Sequence, residues 1–218
     1  MSKQPLLTIS LGLLHISTGY LYSQLCLGQV VGLRWQDCDF ESKTISVNHN
    51  LIYRKRENGR CEFQITTPKT KAGTRTIPML EEVKRALLQE RIRQMQEGFC
   101  KAEVDGYSGF IFYNRFNTCL SPHCINRAIE RISRSYNEEE QAQAKKERRK
   151  PVLLPHFSAH NLRHTFCTRF CENETNLKVI QEIMGHADIE TTMNIYAEAT
   201  EEKKRESFAN LEGKIKVS

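Results

Sequence analysis

No apolar run in the 218-residue sequence reaches the ~18–20 residues that a membrane-spanning helix requires. The mean hydropathy is −0.54. There is no P-loop and no glycine-rich dinucleotide fingerprint, so a nucleotide cofactor has no support. Of the eight cysteines, none falls in a tight C-x-x-C knuckle, and no H-E-x-x-H run is present; structural and protease-type zinc sites both lose their usual signatures. The apolar stretch over 5–16 is preceded only by Lys3 and followed by no small-residue cleavage site, which argues against a secretory signal. No internal repeat is found. These absences leave a cytoplasmic globular protein as the expectation, with 39% hydrophobic and 27% charged residues to build one substantial core.

Charge is unevenly placed. Residues 51–93 carry eleven Lys/Arg against five acids, residues 142–170 seven against one, and residues 171–218 six against ten. Two basic blocks brought together by folding would make a polyanion-binding face. Charge alone does not separate that face from ordinary solvated helix surface.

Periodicity predicts a mainly helical α+β protein with a small antiparallel β-sheet in the N-terminal third. Helices are expected over 6–16, 20–33, 81–96, 121–132, 158–171, 177–184 and 190–199. Strands are expected over 44–47, 51–53 and 61–65, with Asn58-Gly59 as a hairpin turn and Arg75 to Pro78 closing the sheet. Residues 135–150 read as an exposed helix or insertion.

The segment His160-Asn161-Leu162-Arg163-His164 is the first with chemical content. His160 and Arg163 share a helix face, and a histidine beside a guanidinium suits a phosphate. His164, four residues after His160, invites zinc instead, but Asn161 is no carboxylate. Two capping or core histidines remain the plainer account of this segment by itself. Cys119-x4-Cys124 and Cys167-x3-Cys171 could join a zinc-dependent regulator, although buried free thiols explain them better.

The segment is followed by Gly185-His186 and, ten residues later, by Tyr196 within Thr191 to Tyr196. This ordered set resembles the tyrosine recombinases (phage-type integrases), and in texture the integrases of conjugative transposons. The likeness runs from about residue 6 to 200. It is strongest at Val31 to Asp37, at Pro68 to Pro78, at His160 to Thr165 and at Met184 to Tyr196. It implies a multihelical catalytic domain over 1–200 that cuts double-stranded DNA without metal or cofactor. Tyr196 would attack a scissile phosphate, and His160, Arg163 and His186 would surround that phosphate. Lys69, with Lys71 as a near alternative, would protonate the leaving oxygen. Arg54, Lys55, Arg56 and Arg60, with Lys71 and Arg75, would hold DNA phosphates, which position without specifying sequence. The likeness further implies a bacterial, DNA-associated protein, a homotetramer on DNA and an excision factor as a possible partner. The tail, 201–218, would dock on a neighbouring protomer through Phe208, Leu211 and Ile215.

One motif departs from the family. Its T-G-x-R-x-G-E run corresponds to Thr18 through Gln29, where the two anchors are five residues too far apart. Counted forward, the arginine slot holds Leu21; counted backward, it holds Cys26. Gln29 replaces the glutamate. Arg34 belongs to the G-L-R-W stretch and is not expected to substitute. Activity is therefore expected to be impaired, with a catalytically dead DNA-binding remnant as the alternative. Core-binding and arm-binding domains of the family are expected to be absent.

Overall fold

The structure is a computed structural model that describes residues 25–197 other than Asn58. The helix expected over 6–16, the start of that over 20–33, the hairpin residue Asn58, the slot residue Leu21 and the tail stripe Phe208, Leu211 and Ile215 lie outside the described residues.

The short helix α1 (Leu27–Val31) begins where the Gln29 side chain accepts from the Cys26 backbone N–H at 3.0 Å. Val30 and Val31 are wholly buried. The helix lies so close to the following hairpin that a Cβ on Gly32 would stand 3.0 Å from the Leu51 nitrogen. Only glycine permits that approach. Arg34 then folds back on Asp37, donating from Nε at 3.1 Å and Nη2 at 3.0 Å. The Arg34 guanidinium lies 4.3 Å from the centroid of the Tyr107 ring.

Strands β1 (Cys38–Asp39), β2 (Thr44–Val47) and β5 (Arg75–Pro78) form one antiparallel sheet in the order β1-β2-β5. Ile45 pairs with Ile77, both buried, and Val47 pairs with Arg75. Strands β3 (Asn50–Lys55) and β4 (Cys61–Thr66) form a separate hairpin. The strands thus divide into two ladders where one sheet was expected. The chain leaves the first ladder at His49, whose ring turns inward to donate to the Gly32 carbonyl at 2.8 Å.

Helix α2 (Glu81–Glu97) lays Val83 and Leu87 on the sheet. Its buried Gln94 accepts from the Trp35 indole at 3.0 Å and donates to the Ile111 carbonyl at 2.9 Å. Helix α3 (Pro122–Glu147) starts at the expected Ser121-Pro122 but runs past Ile132 without a break. The polar second half is held by spaced pairs such as Arg134–Glu130 (2.9 Å) and by Arg149 reaching back to Glu140 (2.9 Å). Pairs of this kind support a helix that buries little apolar surface. Beyond it the segment over 151–157 is fastened to α3, the Asn137 amide bonding both the N–H (2.8 Å) and the carbonyl (2.9 Å) of Leu154.

Three helices complete the described chain: α4 (Ala159–Asn173), α5 (Leu177–Met184) and α6 over 189–197. The large core gathers α1, the strands, α2 and the fully buried Phe110, Ile111 and Phe112. A second, smaller core forms around Cys167, Cys171, Ile180, Met184 and Ile195. Among the described residues no helix is long and apolar enough to cross a membrane.

Candidate functional site

The site forms where α4, α5 and α6 of the smaller core meet strand β5 of the larger. Asn161, which stands where a zinc reading would want a carboxylate, has a local duty: its side-chain oxygen accepts from the Ser158 N–H at 2.9 Å and caps α4. The start of α4 is also tied to α3, since the Ala159 N–H donates to Asn126 at 3.1 Å. These bonds fix the pitch at which His160, Arg163 and His164 leave the helix. His160 and His164 are exposed and meet edge to face, with centroids 5.6 Å apart.

Arg163 is half-buried and donates through Nη2 to the Met184 carbonyl at the end of α5. There the chain turns at Gly185, whose φ of +67° belongs to the left-handed region. His186 follows. Its Nδ1 shares a hydrogen bond with the Thr192 hydroxyl at 3.0 Å, which joins the turn to α6. Thr192 is fully buried, and Tyr196 lies one helical turn further on the same face. Tyr196 is half-buried against the second core. Burial, reinforced by the charges of Arg163, Arg75 and His164, lowers the His186 pKa to about 4. The ring is therefore neutral at physiological pH.

Arg75 comes to this site from β5, although its sequence grouped it with the hairpin cations. Its Nε donates to the Ile183 carbonyl at 2.8 Å and its Nη1 to the Gly73 carbonyl at 3.3 Å. Burial and the neighbouring Arg163 charge depress its pKa to about 10, and Cys26 acts on it in the opposite sense. Cys26 is thus an electrostatic neighbour of Arg75. Its thiol is exposed.

An open groove of about 710 Å³ runs along this junction, lined among others by Lys71, Arg75, Lys178, Glu182 and His186. Lys71 opens the short 3₁₀ turn over Lys71–Gly73 that forms its wall. Lys69 is exposed on the preceding bend and does not line the groove.

The hairpin cations are less uniform than their sequence. Arg54, Lys55 and Arg60 are exposed, with the Arg54 Nε 3.3 Å from Gln64. Arg56 is instead engaged by acidic neighbours at the surface, paired with Glu62 at 3.2 Å and Asp105 at 2.8 Å. The cysteines also find local partners: Cys119 hydrogen-bonds with buried Cys100, whose pKa falls to about 7 in consequence, while exposed Cys124 lies 3.2 Å from the Ser121 hydroxyl. Cys167 and Cys171, both free thiols, hydrogen-bond with each other within the second core. Among the described residues no group of three or more His, Cys, Asp or Glu could hold a metal ion.

Sequence reasoning missed Asn161 as a cap, Thr192 as the partner of His186 and the bond from Arg75 to the end of α5. The pattern Ser-x-x-Asn before a helix could have revealed the first; nothing local marks the other two.

Residues 20–203 match the model of the phage integrase family. The transposase of transposon Tn916 from Enterococcus faecalis is 37% identical over 180 residues, covering 83% of this chain and 40% of that protein. The transposase of transposon Tn1545 from Streptococcus pneumoniae gives the same figures. The chain therefore spans about two fifths of the length of these curated relatives. Among solved structures, the Tn1549 transposon integrase in complex with transposon right end DNA superposes with a TM-score of 0.69 at 32% identity. That match covers 89% of this chain and 57% of the other.

Proposed function

The chain belongs to the phage integrase family, and from that premise we propose that residues 1–200 form a catalytic domain that cuts and rejoins double-stranded DNA through Tyr196. The observation that carries the reading is the junction itself: Arg163, His186 and the helix bearing Tyr196 are joined at the end of α5 by two hydrogen bonds. The relatives' names and the DNA in the Tn1549 integrase complex support DNA as the substrate.

The Tyr196 hydroxyl gives its proton to solvent as its oxygen attacks phosphorus, and the bond from phosphorus to the 5′-oxygen breaks. A 3′-phosphotyrosyl bond forms and stores the energy for rejoining, so no nucleotide is consumed. The guanidinium of Arg163 and the rings of His160 and His186 bind the non-bridging oxygens as their charge grows. A neutral His186 has one N–H and one lone pair; with Nδ1 accepting from Thr192, its Nε2–H faces outward as a donor. The leaving 5′-oxygen takes its proton from a lysine of the β4–β5 loop. Lys69 matches the family's position by sequence, whereas Lys71 lines the groove, and the geometry favours Lys71. Exposed Arg54, Lys55 and Arg60 track the phosphate backbone, while Arg56 stiffens the hairpin.

The protein would act in a bacterial cytoplasm as a homotetramer on DNA, with the tail over 201–218 packed on a neighbouring protomer. An excision factor would complete the assembly. Its rate would be lowered by the thiol at Cys26, which lacks the planar fork by which a guanidinium clamps a phosphate. A second reading, a DNA-binding remnant without turnover, draws on that same thiol.

Covalent trapping separates the two. The protein, Tyr196→Phe and Cys26→Arg are incubated with supercoiled plasmid and quenched with detergent. Adducts from the unsubstituted protein that vanish in Tyr196→Phe support the enzyme reading, and a higher yield in Cys26→Arg supports the slowed rate. Adducts that persist in Tyr196→Phe would refute it. No adduct from any of the three favours the remnant.

A further inference from the structure

We propose that Arg75 is a positioning residue of this site: it bolts the loop that carries Lys71 to the turn that carries His186. The proposal rests on the assignment of the site given above. Its geometry does not.

Arg75 reaches in two directions from one guanidinium. Toward its own loop it donates to the Gly73 carbonyl at 3.3 Å, closing the 3₁₀ turn that Lys71 opens. Toward the helical half it donates to the Ile183 carbonyl at 2.8 Å, 108 residues away in sequence. The fit against the turn is close: a Cβ on Gly185 would lie 2.6 Å from Arg75 Nη1 and 2.7 Å from Cζ, so the guanidinium would have to shift to admit one. Arg163 meets the next carbonyl, that of Met184. Two guanidinium groups from separate elements therefore grip consecutive carbonyls at the end of α5. One comes from the helix that supplies the phosphate ligands and the other from the strand that leads out of the lysine loop.

This arrangement bears on catalysis because the proton donor and the phosphate ligands come from opposite cores. Between the elements that carry them, Arg75 is a direct polar link, and a displacement of about 1 Å between reacting groups can cost about 100-fold in rate. Arg75 has a second effect through charge. Arg163 and His164 on α4 and Arg75 on β5 all disfavour a proton on His186. Lys71 from the loop, and Lys178 and Glu182 from α5, line the same groove.

The test uses the full chain with Arg75→Lys and Arg75→Met. The first keeps a charge but loses the planar fork; the second loses both. The His186 ring is titrated by NMR without DNA, and Tyr196 adduct formation and binding are measured on supercoiled plasmid. Arg75→Met should move the His186 midpoint up from about 4 toward 6.5, and Arg75→Lys should leave it low. Both variants should slow adduct formation, Arg75→Met by about 100-fold and Arg75→Lys by about 10-fold, with less than about a threefold change in binding. A His186 midpoint unmoved in Arg75→Met overturns the proposal, and so does a loss of binding that matches the loss of rate, which would make Arg75 a DNA contact. Should Arg75→Met not fold, Arg75→Lys alone decides: slower adducts at unchanged binding and midpoint support the bolt, and an unchanged rate overturns it. If the unsubstituted protein forms no adduct, the proposed function fails, while the titration still decides the placement of Arg75.

Discussion

The two cores of the molecule handle buried arginine in different ways. In the larger, Arg34 is matched by a carboxylate of its own turn, Asp37, and capped by the Tyr107 ring. In the smaller, Arg75 and Arg163 lie close enough to oppose each other, and main-chain carbonyls accept from both. A guanidinium neutralised from within is part of the frame. A pair held on main-chain carbonyls instead joins two elements, strand β5 and helix α4, at the end of α5. No count of basic residues separates these two settings.

The comparison can be broken at its strongest point first. Asp37→Ala leaves Arg34 charged and buried without its fork, and should cost about 3–5 kcal/mol in urea unfolding. Its adduct rate per folded molecule should not change. A large rate defect with intact stability would move Arg34 into the site. Arg163→Lys should do the reverse, lowering the adduct rate by about 100- to 1000-fold with little change in unfolding midpoint. Equal losses of stability and rate would erase the distinction between the two arginine settings.

Gly185→Ala sharpens it on a smaller scale. A left-handed alanine costs about 1 kcal/mol, and its methyl group would also displace the Arg75 guanidinium. We expect a stability loss of about 1–2 kcal/mol by urea unfolding, accompanied by a change in the His186 titration; a stability loss without that change would disconnect the turn from Arg75.

The smallest effect is a pH dependence. Folded His186 takes up its proton near pH 4, against 6.5 for the ordinary ring. Between those values the unfolded chain holds more protons, so stability rises with pH and is lost as pH falls from about 6.5 to about 4. For a half-buried ring, solvent screening leaves this on the order of 1 kcal/mol. His186→Gln should flatten the slope in that window, and an unaltered slope would assign the dependence to other groups.

Much of this was readable from the chain. Thr44–Val47 and Leu177–Met184 were found with their true ends, because β-branched alternation and a glycine stop are local signals. The four residues His160, Arg163, His186 and Tyr196 were picked out by order and spacing. The second half of α3 was not, since its apolar periodicity fades after Ile132 and side-chain pairs take over. The hairpin's separation from the sheet depends on the inward turn of one residue, His49. The bond from Arg75 to the end of α5 was hidden for a similar reason: alternation along β5 gives the face of a side chain but not the element that arrives to meet it. Of the two candidates for the arginine slot, Leu21 lies outside the described residues, and Cys26 acts on the charge of Arg75.

The 108 residues between Arg75 and its carbonyl partner also set a timetable. At a synthesis rate of about 5–20 residues per second, β5 waits roughly 5–20 s for the end of α5 to emerge. During that interval the nascent chain already displays its basic hairpin, yet neither the His186 turn nor Tyr196 has been made. A chain stopped short of α5 would therefore carry the hairpin cations without the turn that Arg75 grips.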